Sequence, residues 1–131
     1  MNFQSYYLDQ NLPPLAPPAW LFGVVWPILY ILIIISYGWI FYKAIKREVN
    51  FWFVLPFLIN IIANILFTFF QFGLRNNTLA LIDILIVLVT IIITITLTWD
   101  KYRLISYMQF PYLAWVSFAT YLQIGITILN R

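Results

Sequence analysis

Four long apolar stretches dominate this chain of 131 residues: about 19–42, 51–72, 78–99 and 104–129. The breaks between them, Lys43 to Asn50, Gly73 to Asn77 and Asp100 to Arg103, are short and carry charge or Gly/Asn. At about 1.5 Å of rise per residue, each stretch is long enough as a helix to cross the roughly 30 Å of hydrocarbon in a bilayer. A spanning segment must satisfy its own backbone hydrogen bonds, which leaves helices or a closed barrel. Barrel strands alternate apolar and polar residues over segments of about ten, and these continuous Ile/Leu/Phe runs do not alternate. Apolar residues make up 64% of the chain and charged residues 8%, against roughly 45–50% and about 25% in soluble domains. So few charges cannot clothe a water-exposed surface. The expected fold is therefore an all-α integral membrane protein: a bundle of four transmembrane helices in residues 19–131, preceded by a proline-rich extramembrane loop at 1–18.

The same inventory excludes whole classes of chemistry. With no cysteine and no histidine, the chain has no disulfide, no thiolate nucleophile, no Cys/His metal site and no histidine base. No catalytic residue, metal site or obligatory cofactor is expected. The net charge of +3 is explained by basic loops beside membrane spans, and nucleic acid is not an expected partner. Residues 1–18 carry Asp9 as their one charge and lack the basic start of a signal peptide. Prolines at 13, 14, 17 and 18 hold this segment extended and delay the first helix to about Ala19. Lys43, Lys46, Arg47, Lys101 and Arg103 fall on one side of a four-span topology, Arg75 and Arg131 on the other. The positive-inside rule makes the 43–50 and 100–103 connections cytoplasmic and both termini external, with a bacterial plasma membrane as the expected location.

Asn60 and Asn64 in the second span, Asp83 in the third and Gln123 in the fourth are polar groups at membrane depth, where each needs a partner or a cavity. Counting about 1.5 Å per residue from the outer face, Trp26 lies roughly 11 Å down, Asn64 about 12 Å, Asp83 about 8 Å and Gln123 about 10 Å. Helical spacing groups Asn60, Asn64 and Gln71 on one face, Trp26 with Tyr30 on another, and Tyr112, Trp115 and Ala119 on a third. An aromatic cavity with a few amide and hydroxyl groups suits a flat apolar ligand. The plainer reading makes the asparagines glue between helices. Asp83 then pairs with Arg75 or helix-end amides, and the Thr90, Thr94, Thr98 stripe bonds its own backbone. Trp39, Trp52 and Trp99 fit an interfacial aromatic belt, whereas Trp26 and Trp115 lie too deep for one.

The stretch Pro13-x-x-x-Pro17-Pro18-x-Trp20-x-Phe22-x-x-Val25-Trp26-x-x-Leu29-Tyr30 resembles the signature of the translocator protein / tryptophan-rich sensory protein (TspO/MBR) family. The segment Pro111 to Leu122, PYLAWVSFATYL, is similar to the family's last helix, and the Asn64 to Asp83 spacing, with Phe70, Phe72 and Ala80 between, to its middle helices. The resemblance covers about residues 6–130. It implies a membrane protein that binds porphyrins (protoporphyrin-like) or other flat apolar molecules in a pocket closed by the proline-rich loop. Carried onto this chain, Trp26 and Asn64 are the pocket's polar contacts. Phe22, Tyr30, Phe70, Trp115 and Ala119 are its walls, and Pro17, Pro18 and Trp20 belong to the lid. Members have five spans, and the one before the proline-rich loop has no counterpart among these four. Phe67 stands where the family has tryptophan, and Gln123 where it has asparagine.

The expected function is binding of a tetrapyrrole-like ligand in a sensory or regulatory role. The alternatives are photo-oxidative breakdown of a bound porphyrin, which here would have to run through Trp/Tyr radicals, and small-molecule transport, which the absence of an internal repeat disfavours. Besides lipid and ligand, the expected partner is a second copy or a helix from another chain, filling an apolar groove onto which Asn60 faces.

Overall fold

Helix α1 (Ala19–Ile45) begins where the prolines end, with Pro18 in an extended conformation and Leu21 N bonding Pro18 O at 3.1 Å. In the computed structural model the described residues are 13, 14, 16, 18–74 and 76–130, with backbone alone for 19, 71 and 72. Pro27 lies inside α1; its ring approaches the carbonyl of the residue four back. That residue is Gly23, whose outward face is open. The helix outlasts its apolar run by three residues and closes with Arg47 N to Ala44 O at 3.0 Å and Glu48 N to Lys43 O at 2.9 Å. This is the Schellman arrangement, but Arg47, at φ 60°, holds the left-handed position that glycine usually takes. Lys43 Nζ meets Glu48 Oε2 at 2.8 Å across the turn. The ammonium's hydrogen bond holds the Glu48 carboxyl below the usual carboxylate range.

Helix α2 (Phe51–Thr68) is capped by Asn50, whose side chain accepts from Phe53 N at 2.9 Å. It continues into a π-helical turn, Phe69–Gly73, with Leu74 N bonding Phe69 O at 3.0 Å. Helix α3 (Asn77–Thr98) is capped likewise by Asn76, which accepts from Leu79 N at 3.0 Å. Helix α4 (Arg103–Leu129) starts after a tight turn over which Arg103 donates from Nε to Trp99 O at 3.0 Å and lies 4.6 Å from the Trp99 ring centre. All four are long and apolar enough to cross a membrane. The protein is an integral membrane protein.

Helix α3 packs along both α2 and α4, while α1 rests on α4 and touches α2 less. An apolar cluster around Leu29, Ala63, Ile84, Val87, Tyr112 and Val116 draws on all four helices. Threaded through it is a polar knot centred on Asn60, which is fully buried. Its Oδ1 accepts from the Tyr37 and Tyr112 hydroxyls, each at 3.1 Å, and its Nδ2 donates to Thr90 Oγ1 at 2.9 Å and Val87 O at 3.2 Å. The expectation of an Asn60 amide waiting for an outside partner is therefore corrected: α1, α3 and α4 already satisfy it. Toward the Lys43 end, Gln109 Nε2 donates to Ser36 Oγ at 2.9 Å, and Thr98 and Ser106 share a hydroxyl contact of 2.6 Å. At the opposite end, Gln123 Nε2 and Thr127 Oγ1 both reach Asn77 O, at 3.3 and 3.2 Å. The threonine stripe does bond its own helix, through Ile86 O, Ile91 O and Thr94 O. Thr90 and Thr98 additionally carry the cross-helix contacts.

The described part of the N-terminal segment is seated on α4. A Cβ at Gly125 would lie 2.5 Å from Pro13 Cβ, so only glycine admits this approach, and Tyr121 Oη donates to Pro14 O.

Hydrogen bonds between membrane helices average about 0.6 kcal/mol, so the four on Asn60 sum to about 2 kcal/mol. Asn60→Leu is expected to lower unfolding free energy in mild detergent by about this amount. Thr96→Val, which removes only a bond to its own backbone at Ile92 O, is expected to leave stability nearly unchanged.

Candidate functional site

Tyr30 and Tyr37 are seven residues apart on α1, and Asn60 and Asn64 four apart on α2, so each pair shares a helix face. Where α1 and α2 touch only sparsely, these faces border a cleft of about 350 Å³, walled by Ile33, Ile34, Gly38, Phe41, Ile61 and Ile65 besides the four polar residues. Its Gly38 leaves open space where a Cβ would stand. Of the two amides, Asn60 forms the saturated floor. Asn64 donates from Nδ2 to Tyr112 Oη at 2.7 Å, which fixes its plane, and its Oδ1 accepts nothing among the described residues. The cleft therefore presents one oriented, unpaired amide carbonyl in an apolar and phenolic surround, a geometry that fixes the orientation of a mostly apolar ligand.

A second group of side chains lies where α1 meets α4. Phe22 packs edge-on to Trp115 with centroids 5.2 Å apart, above Leu122 and Ile126. Trp26 joins this cluster and also the one containing Ala119. The Trp26 and Tyr30 rings, 5.6 Å apart and tilted by 33°, connect this wall to the cleft. Phe22, Trp26, Trp115 and Ala119 are thus brought together, and Tyr30 joins them to Asn64 around the shoulder of α1. Phe70 lines neither region: it is half-buried in the π-helical turn with Phe69 at 5.8 Å. Trp20 is 62% exposed and Pro18 is exposed, while Pro17 lies outside the described residues. Gln123 lies beside Leu122, on whose cluster Trp26 packs, but its side-chain amide donates to Asn77 O.

Two residues outside the expected ligand-contact set matter here: Tyr112, which the sequence placed only on a shared face with Trp115, and Tyr37. Tyr112 bonds both asparagines and so sets the direction of Asn64; its place one turn before Trp115 was the available signal. Tyr37 holds Asn60 from the α1 side, and its signal was the interval from Tyr30. Asp83 is 4% exposed, and no described residue donates to it. An Arg75 partner lies outside the described residues, and no helix-end amide bonds it. The Trp115 indole nitrogen is likewise buried without a partner. Among the described residues no group of three His, Cys, Asp or Glu side chains could hold a metal ion.

Comparison with known proteins agrees with this architecture. Residues 1–129 match the TspO/MBR family. The membrane protein YtaB of Bacillus subtilis is 36% identical over 129 residues, covering 97% of this chain and 81% of its own. Tryptophan-rich protein TspO of Bacillus cereus is 32% identical over 127 residues, 97% of this chain and 82% of its own. Protein CrtK of Rhodobacter capsulatus is 29% identical over 126 residues, 96% and 79% of the two chains. With the family matched over residues 1–129, and with relatives above 30% identity of which it covers 81% and 82%, this chain belongs to the TspO/MBR family.

Proposed function

We propose that the protein binds flat, apolar, tetrapyrrole-type molecules such as protoporphyrin and serves a sensory or regulatory role through that binding. The observation that carries this reading is the free Asn64 carbonyl, held by Tyr112 in a cleft of about 350 Å³ and joined through Tyr30 to the Trp26 ring. Aromatic faces take up a flat ring system by stacking, and one fixed acceptor selects its orientation. Trp26, Tyr30, Trp115 and Phe22 supply the faces, and Ala119 leaves room beside them. Family membership supports the same ligand class.

Stacking adds about 0.5–1.5 kcal/mol beyond burial, and leaving a buried polar partner unpaired costs about 1–3 kcal/mol. Trp26→Ala and Asn64→Ala are therefore each expected to weaken protoporphyrin binding about tenfold, read by tryptophan quenching. Trp39→Ala, at the Lys43 end, should bind as the unaltered protein does. Ala119→Thr should shift relative affinity among synthetic ligands of different width, with little change in stability. Equal binding by all four variants would refute the site.

We further propose a bacterial plasma membrane, with the Lys43 and Lys101 ends cytoplasmic by their basic charge. Since the chain has no native cysteine, Lys46→Cys and Thr78→Cys can be labelled with an impermeant thiol reagent in intact and opened cells. Labelling from opposite faces is expected; labelling from the same face contradicts the topology.

The open side of the cleft lies between α1 and α2, away from α3 and α4, and we propose that a second copy covers it. A dimer in mild detergent is the expected species, and a strict monomer that still binds ligand excludes this arrangement.

A further inference from the structure

Asp83 is the only carboxylate within the four helices. Its carboxylate Oδ2 is buried with no hydrogen-bond partner. The antiparallel register of α3 and α4 runs from the Gln123 to Asn77 bond at one end to the Ser106–Thr98 contact at the other. Interpolating between these bonds puts Asp83 level with Phe118, next to Ala119. Ala119 belongs to the cluster against which Trp26 and Trp115 pack, so Asp83 shares its level with the two deep indoles. An acid at membrane depth is expensive unless it meets a donor or a cation, and protonation alone only exchanges an unpaired acceptor for an unpaired hydroxyl. No described lysine or arginine is near: the helical cations Lys43 and Arg103 lie at the opposite end of the bundle.

We propose that Asp83 is the anchor of a binding site for lipophilic organic cations, with the ammonium group at the carboxylate and the apolar body against the Trp26 and Trp115 side of the bundle. The chemistry is complementary at two points. A carboxylate in a low-dielectric setting forms a charge-assisted bond to an ammonium, and tryptophan faces attract organic cations through the ring quadrupole. The tetrapyrrole reading shares the Trp26 and Trp115 faces but turns on the Asn64 carbonyl, whereas this one turns on the Asp83 carboxylate, so Asn64 and Asp83 variants test the two separately.

The probe is a dansyl-alkylammonium compound, compared with its N-acetylated, uncharged analogue, bound to the full chain in an uncharged detergent. Energy transfer from tryptophan to dansyl reports binding. The ammonium form is expected to bind about tenfold more tightly, the effect of one charge-assisted hydrogen bond. Asp83→Asn should abolish that preference, while Glu48→Gln, which removes an exposed acid, should leave it intact. A second measurement needs no variant: infrared difference spectra of the unaltered protein should show a carboxyl band that responds to the ammonium probe and not to the acetylated one. Equal affinity for the two probes, a preference that survives in Asp83→Asn, or a carboxyl region silent to both overturns the proposal.

Discussion

The Asn60 amide is the point on which the four helices agree. A bilayer offers no hydrophobic reward for one apolar helix meeting another, because lipid is as apolar as leucine. Association must come from close packing and from polar groups that lipid cannot satisfy. Asn60 meets both conditions, since its single planar group faces a tyrosine from α1, a tyrosine from α4, and a threonine and a carbonyl from α3. Rotating or sliding any of the four breaks at least one of these bonds. The outlying pairs, Ser36 with Gln109 and Gln123 with Asn77, then fix tilt and register at either side of that centre.

Saturation at Asn60 sets off what is unsaturated nearby. One turn along α2, Asn64 has the same chemistry, but among the described residues no hydroxyl donates to its oxygen. The knot thus holds the backbone while its neighbour offers a contact. Tyr112 joins the two by donating to one asparagine and accepting from the other. The consequence is a contact whose direction is set by the same bonds that hold the bundle together.

The spans were legible because about twenty consecutive apolar residues admit few alternatives, and their ends were misjudged by only a few residues. The first helix runs on to Ile45 because Lys43 can remain helical while its ammonium turns back to Glu48. The division of labour between Asn60 and Asn64 was not legible: it depends on hydroxyls arriving from 23 and 52 residues away. The role of Tyr37 was hidden for the same reason. The Gln71 side chain, expected on the Asn60 and Asn64 face, lies outside the described residues. The π-helical turn at Phe69–Gly73 widens the repeat just there, and spacing counted at 3.6 residues per turn loses its phase. Depth counted along single helices placed Gln123 near Trp26 but did not reveal its partner, the Asn77 carbonyl, which depends on the α3–α4 register.

The seat of Pro13 on Gly125 also acts as a leash. Pro13 is pinned to α4 and Pro18 abuts the first residue of α1, so only five residue steps connect the two helices at this end, and a fully extended chain covers at most about 18 Å in that distance. Within that radius α1 can swing relative to α4 without consequence for the tail. Beyond it, separation of the helices must pull the proline from its socket, and the bundle's freedom to open at this end is metered by the length of a six-residue tether.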